Sequence, residues 1–405
     1  MTAPAAPVKP PGPASPAFVL GALAVMALSV ASHANVTLKP LLISTYVTFL
    51  GVGRSGAGYI VGAEATATAL AIVTVVSLLH RLGRRRTLFV AAFLIVLGNL
   101  LSMLAHTPYE IAAARAVAGV GHGAAQAVCA AVIAGFVSAE RVSALVSVTV
   151  ALAGMGLMFA VPAAQGAVGA WPLFASMAGL MALPLAMLRW IPGAGAAAPA
   201  RTAAAARIAR PGLVALSLGA AFFFYLSVGS FWPYATEFGM QSGLAYPAAS
   251  AAAALAYLAA VVGSTGVMVL GHRIPKSFGV GGAILGAMAS LGLLQGGGGT
   301  QAVFMAACVG FMFCWGVFYP LFMGFLSELD RSGRANGYFF TLAMASFALG
   351  PTLGGAVIDL AGGAHGDLSN LLWMSLVCQL PALGIVYAMS AFRRGGGAGE
   401  IPAAA

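Results

Sequence analysis

Apolar residues run along this chain in long unbroken stretches, with no alternation of polar and apolar positions inside them. In the first half the stretches fall at 16–38, 56–79, 87–105, 109–136, 142–165 and 171–190. In the second half they fall at 212–236, 246–270, 277–296, 301–326, 336–360 and 369–392. Each is close to the roughly 20 apolar residues a helix needs to cross a bilayer. Hydrocarbon offers the backbone no hydrogen bonds, so a spanning segment is either a helix or a strand of a closed barrel. The missing period-two alternation selects the helix. The pattern therefore predicts an all-α integral membrane protein with twelve transmembrane helices.

Composition excludes a water-soluble alternative. The chain is 61% hydrophobic and 7% charged, with a mean hydropathy of +0.97. Soluble domains carry about 25% charged residues. Residues 1–15 are rich in Pro and Ala and read as a disordered tail. Residues 191–211, rich in Ala, Gly, Pro and Arg, read as a linker, and 393–405 as a C-terminal tail. The first apolar stretch is taken as a retained helix: the segment before it is Pro-rich and holds only Lys9, unlike the basic start of a cleaved signal.

Charge distribution adds topology. With the N-terminus cytoplasmic, sixteen of the nineteen Lys and Arg residues fall on the cytoplasmic side, the side where such residues accumulate. Only Lys39, at the outer end of the first stretch, Arg54 and Arg115 do not. An odd number of spans would scatter this charge, so both termini are expected in the cytoplasm. The net charge of +10 then needs no nucleic acid partner; the partner is the lipid bilayer. The four cysteines (Cys129, Cys308, Cys314, Cys378) all lie inside apolar stretches and read as packing residues.

The chain also repeats itself. His80-Arg81-Leu82-Gly83-Arg84-Arg85 follows the second span, and His272-Arg273-Ile274-Pro275-Lys276 follows the eighth, 192 residues later. Glu140-Arg141 after span four is matched by Asp330-Arg331 after span ten. Two pseudo-symmetric six-helix bundles of like orientation are predicted, 16–190 and 212–392, joined by the basic linker.

This organisation resembles the major facilitator superfamily over essentially the whole chain. The family's loop between spans two and three reads G-x-L-x-D-R-x-G-R-R. Leu78, Arg81, Gly83, Arg84 and Arg85 match it, while Val76 and His80 replace the Gly and the Asp. Arg115, Gly119 and Gly121 match the R-x-x-x-G-x-G of the fourth span. The G-P-x-x-G-G string common in the fifth span of the efflux branch is absent there. It occurs instead at the pseudo-symmetric place in span eleven, from Gly350 to Gly355. The resemblance implies a multi-pass, monomeric secondary transporter of the bacterial inner membrane, working by alternating access.

Ionisable groups inside membrane spans are costly and point to function. Here they cluster in the first half: His33 and Asn35 in span one, Glu64 in span two, and Arg115, His122 and Gln126 in span four. At 100° per residue the last three share one helix face. Arg115 and Glu64 lie at comparable depth, so an interaction between them, or a network including His33, is expected. The second half instead supplies aromatic residues, among them Tyr225 in span seven and Trp315 and Tyr319, four apart, in span ten. Glu110, Glu237, Asp359 and Asp367 are expected at or beyond outer ends.

A cavity with charge on one wall and aromatic rings on the other suits an amphipathic or aromatic organic anion. His33, Asn35, Arg115, His122, Gln126, Tyr225, Trp315 and Tyr319 are the candidate substrate ligands, with Glu64 or His33 as proton carrier. Export of hydrophobic or cationic compounds in exchange for protons is the alternative within transport. A non-transporting membrane sensor or scaffold is the alternative outside it. No Walker-type phosphate loop, metal-ligand cluster or nucleophile elbow is present, so neither an enzyme nor a cofactor is expected.

Overall fold

The computed structural model describes residues 16–133, 136, 139–191, 210–296, 300–330, 334–362 and 367–395. The tail at 1–15, nearly all of the linker and the end of the C-terminal tail lie outside the described residues. Every described element is helical. Among the described residues eleven helices are long and apolar enough to cross a membrane, and a shorter apolar stretch, Trp171–Ala186, stands where the sixth span was expected.

The first span is α1 (Pro16–Thr37) continued by α2 (Lys39–Phe49). Sequence reading ends this span at residue 38, because Lys39-Pro40 looks like a terminus. The helix instead breaks at Leu38 and resumes. Pro40 has no N–H and cannot bond the carbonyl four residues back, that of Val36. Lys39 is therefore not at the outer end; it sits inside the span, 3% exposed.

Helices α3 (Arg54–Leu82), α4 (Arg84–Leu104), α5 (Pro108–Ile133) and α6 (Ala139–Val168) follow, then α7 (Trp171–Gly179) and α8 (Ala182–Ala186). Pro184 divides the sixth span, and a 3-10 turn at Leu188–Trp190 ends it. The second half opens with α9 (Pro211–Phe231), a 3-10 turn at Trp232–Tyr234 that contains Pro233, and α10 (Ala235–Gln241). It continues with α11 (Tyr246–Leu270), α12 (Lys276–Gly296), α13 (Gln301–Leu329), α14 (Arg334–Leu360) and α15 (Ser369–Gly395).

Packing runs mainly within each half. In the first, α5 lies against α3, α4 and α1; in the second, α13 lies against α11 and α12, and α9 against α14 and α15. Gly119 permits the α3–α5 approach, since a Cβ there would overlap the Glu64 carbonyl oxygen. Close approach of this kind supports helix association in lipid, where the apolar effect cannot.

The halves meet through α3 with α14 and α6 with α11. The contacts gather at the end of the bundle that carries the 50–53 and 242–245 turns, opposite the termini. There Arg54 Nε donates to Glu237 Oε2 at 3.1 Å, and the Tyr59 hydroxyl to Asp359 at 2.7 Å. The Tyr246 hydroxyl donates to Gln165 at 2.6 Å, and Ser250 to the Met158 carbonyl at 2.7 Å. Glu237, expected at the periphery, is only 1% exposed because α10, which carries it, packs on α2. The G-P-x-x-G-G string of α14 serves two contacts: a Cβ on Gly350 would overlap Gly229 of α9 within the second half, and one on Gly355 would lie 2.7 Å from the Ser55 carbonyl of α3, across the seam.

Candidate functional site

The expected pairing of Arg115 with Glu64 is present and deeply buried, at 0% and 2% exposed. Arg115 Nε donates to Glu64 Oε2 at 3.1 Å and Nη2 donates to Glu64 Oε1, a two-point clamp between α5 and α3. Its third donor direction is filled by Asn99 of α4, whose Oδ1 accepts from Nη1 at 2.8 Å. Asn99 is oriented by its own donation to the Ile95 carbonyl at 2.7 Å. The Phe174 ring lies 5.9 Å from the guanidinium and stacks in turn on Tyr46. Three helices thus converge on one cation.

Asn99→Leu is expected to leave one Arg115 donor without a partner. Hydrogen bonds to charged groups are worth about 1.5–3 kcal/mol, so thermal unfolding in detergent should show a clear loss. An unchanged melting temperature would remove Asn99 from the clamp.

Around this clamp the polar residues of α1, α3 and α5 form a second network. Asn35 donates to Thr68 Oγ1 at 3.0 Å, and Thr68 to the Glu64 carbonyl at 2.8 Å. Gln126 donates to the Ser32 carbonyl at 2.9 Å and, at 3.4 Å, to Asn35 Oδ1. His122 Nδ1 also lies 3.1 Å from the Ser32 carbonyl. A carbonyl only accepts, so Nδ1 carries the proton and Nε2 is left as an acceptor. That Nε2 is buried with no hydrogen-bond partner. His33 turns aside from this group: its Nδ1 meets the Ser29 carbonyl one turn back, at 2.9 Å.

The second half presents stacked rings. Phe224 of α9 and Phe318 of α13 stack at 3.8 Å between centroids, and Tyr225 packs edge-on to Phe318 and to Phe339 of α14. Tyr319 meets Phe339 at 6.0 Å. Trp315 is partly buried against the same core. Phe339 and Phe347, both from α14, were not among the expected residues. Five of the six candidate polar residues of the first half share one connected network, with His33 beside it. The aromatic candidates pack together in the core of the second half. Where α1, α2 and α3 meet α14, a narrow cleft is lined by Asn35, Val36, Lys39, Thr68, Met344 and Phe347.

The loop motif lies at the other end of the bundle. Gly83 turns the chain with φ +77°, a conformation suited to glycine, and its N–H bonds the Leu79 carbonyl. Arg84 donates to the Ala131 carbonyl at the C-terminal end of α5, at 3.2 Å. Arg81 donates to His80 at 3.3 Å, while Arg85 is exposed.

Solved transporter structures share this architecture. A crystal structure of the nucleoside transporter NupG superposes with a TM-score of 0.70 at 13% identity, over 91% of this chain and 98% of that one. A D-xylose-proton symporter gives 0.69 at 16% identity, over 92% and 98%. A POT family transporter in complex with a thioalcohol-conjugated peptide gives 0.69 at 13% identity, over 93% and 96%. No curated protein sequence matches the chain. The sequence profile of the Major Facilitator Superfamily matches residues 17–351. A helical bundle of this topology, matched by that profile over most of its length, makes the chain a member of the Major Facilitator Superfamily of membrane transporters.

Proposed function

We propose that this transporter moves a small amphipathic or aromatic organic anion by proton-coupled alternating access. The observation that carries this reading is the charge balance at the meeting of the halves. Two buried cations, Lys39 and Arg115, face one buried carboxylate, Glu64. An uncompensated buried charge is costly, and an anionic solute would offset it. The Phe347 ring in the cleft lining suits an apolar body on the same solute.

In this reading the halves are 16–190 and 212–392, the termini are cytoplasmic, and the chain works as a monomer in a bacterial inner membrane. His33, Asn35, Arg115, His122, Gln126, Tyr225, Trp315 and Tyr319 surround the solute path. Glu64 is the proton carrier: as substrate charge draws on the cationic side of the site, the Glu64 carboxylate loosens from Arg115 and takes a proton. His33 is the second candidate carrier. A cation exporter, which uses a carboxylate as its ligand, fits less well, because Arg115 occupies both oxygens of Glu64.

Uptake into proteoliposomes under an imposed pH gradient, with labelled organic acids, tests the reading. Glu64→Gln is expected to keep exchange of substrate between the two sides and to lose acceleration by the gradient. A variant that still concentrates substrate when the gradient is applied would exclude Glu64 as carrier.

A further inference from the structure

Arg115 is the residue a sequence reader would choose as the ligand of a substrate anion. The geometry gives that task to a different cation. Nε and Nη2 of Arg115 are held by Glu64, Nη1 by Asn99, and the side chain is 0% exposed. An incoming carboxylate would have to displace an internal one that already fits.

Lys39 is in the opposite condition. It is 3% exposed, and its ammonium lies 3.9 Å from the centroid of the Phe347 ring. Among the described residues it makes no ion pair and no hydrogen bond. A cation over a ring gains far less than a buried ammonium loses in hydration. The side chain lines the cleft between α1–α2, α3 and α14, so it is sequestered yet borders open space. The break in the first span puts it there. Pro40 also frees the Val36 carbonyl at the cleft wall from its helical bond.

We propose that Lys39 is the primary ligand for the substrate's carboxylate, with the apolar or aromatic body of that substrate replacing the ammonium over the Phe347 ring. This assignment rests on the reading of the protein as an organic-anion transporter. Lys39 belongs to the first half and Phe347 to the second, so one ligand engages both at the seam where they part. Arg115 is then a positioning residue: it fixes Glu64, and Glu64 sets the field around Lys39.

The test uses the full chain in nanodiscs and a panel of benzoate, phenylacetate and indole-3-acetate, each beside its neutral amide, read by thermal shift and by titration. At least one carboxylate is expected to stabilise the wild type more than its amide does. Lys39→Met is expected to weaken that binding about tenfold or more, and Lys39→Arg to retain most of it. Equal carboxylate binding by wild type and Lys39→Met would overturn the assignment and leave the anion reading standing. Binding of amides or amines with no carboxylate bound would overturn both.

Should Lys39→Met fail to fold, Phe347→Cys with Lys39 intact provides the second measurement. Modification of that cysteine, above the background of the parent chain, is expected to run faster with an anionic methanethiosulfonate than with a cationic one. Benzoate should slow it. The reverse charge preference would exclude an anion subsite at Lys39.

Discussion

Replacing Arg115 by alanine is expected to abolish transport and to destabilise the protein, and removing Glu64 as well is expected to restore stability without restoring transport. Breaking a buried ion pair by deleting one partner costs about 3–5 kcal/mol, because the other charge is stranded. Here the stranded group would be Glu64, 2% exposed among α3, α4 and α5. The double variant Glu64→Ala with Arg115→Ala removes both charges, which is often close to neutral in energy. Thermal unfolding separates the two variants from wild type, and counterflow of an accepted substrate measures transport. Wild-type flux in Arg115→Ala would show the clamp to be a tie between helices with no part in the cycle.

The second large effect is expected at the seam. Gly355→Leu puts a side chain where a Cβ alone would stand 2.7 Å from the Ser55 carbonyl. Overpacking costs about 1–3 kcal/mol, and at a face that must close and part in each cycle that cost falls on one state only. A bias of that size shifts the two populations by about five- to 150-fold. Flux should fall accordingly while the protein remains folded, since the opened state leaves the leucine room. Cysteines at positions 54 and 237, on either side of the seam, report it with a bifunctional thiol reagent. Cross-linking should be efficient in the parent and weak with Gly355→Leu. Undiminished cross-linking would mean that the seam tolerates the side chain.

The spans were legible because hydrocarbon restricts the backbone to helices or closed barrels, and long apolar runs without alternation record the helix directly. The Arg115–Glu64 pair was legible too, since few charges lie within spans and these two share a depth. What escaped the sequence depends on how the helices break and pack. Lys39 beside Pro40 looks like a helix end, and only the turns after the break show that the chain goes on. Glu237 looks like a surface residue until α10, which carries it, packs on α2. Phe339 and Phe347 are ordinary aromatic residues of a membrane helix, and nothing local says that α14 turns them inward. Asn99 is a polar residue within an otherwise apolar span, but its bond to Arg115 depends on how α4 packs on α5. Pro184 was equally visible, and the shortness of the sixth span follows from it.

The break at Leu38 carries one more consequence. The Thr37 carbonyl beside it accepts a hydrogen bond from the Tyr257 hydroxyl at 2.9 Å, and Tyr257 belongs to the other half. The same holds for Gln165 with Tyr246 and for Arg54 with Glu237. Each of these groups, on parting, exchanges a protein partner for water, with net differences of about 1 kcal/mol for the neutral bonds and about 1.5–3 kcal/mol where charge takes part. Closure of this face is therefore held near thermodynamic balance, with strong local geometry and a small overall bias. A solute with a few kcal/mol of preference for one arrangement can then set the direction of the whole molecule.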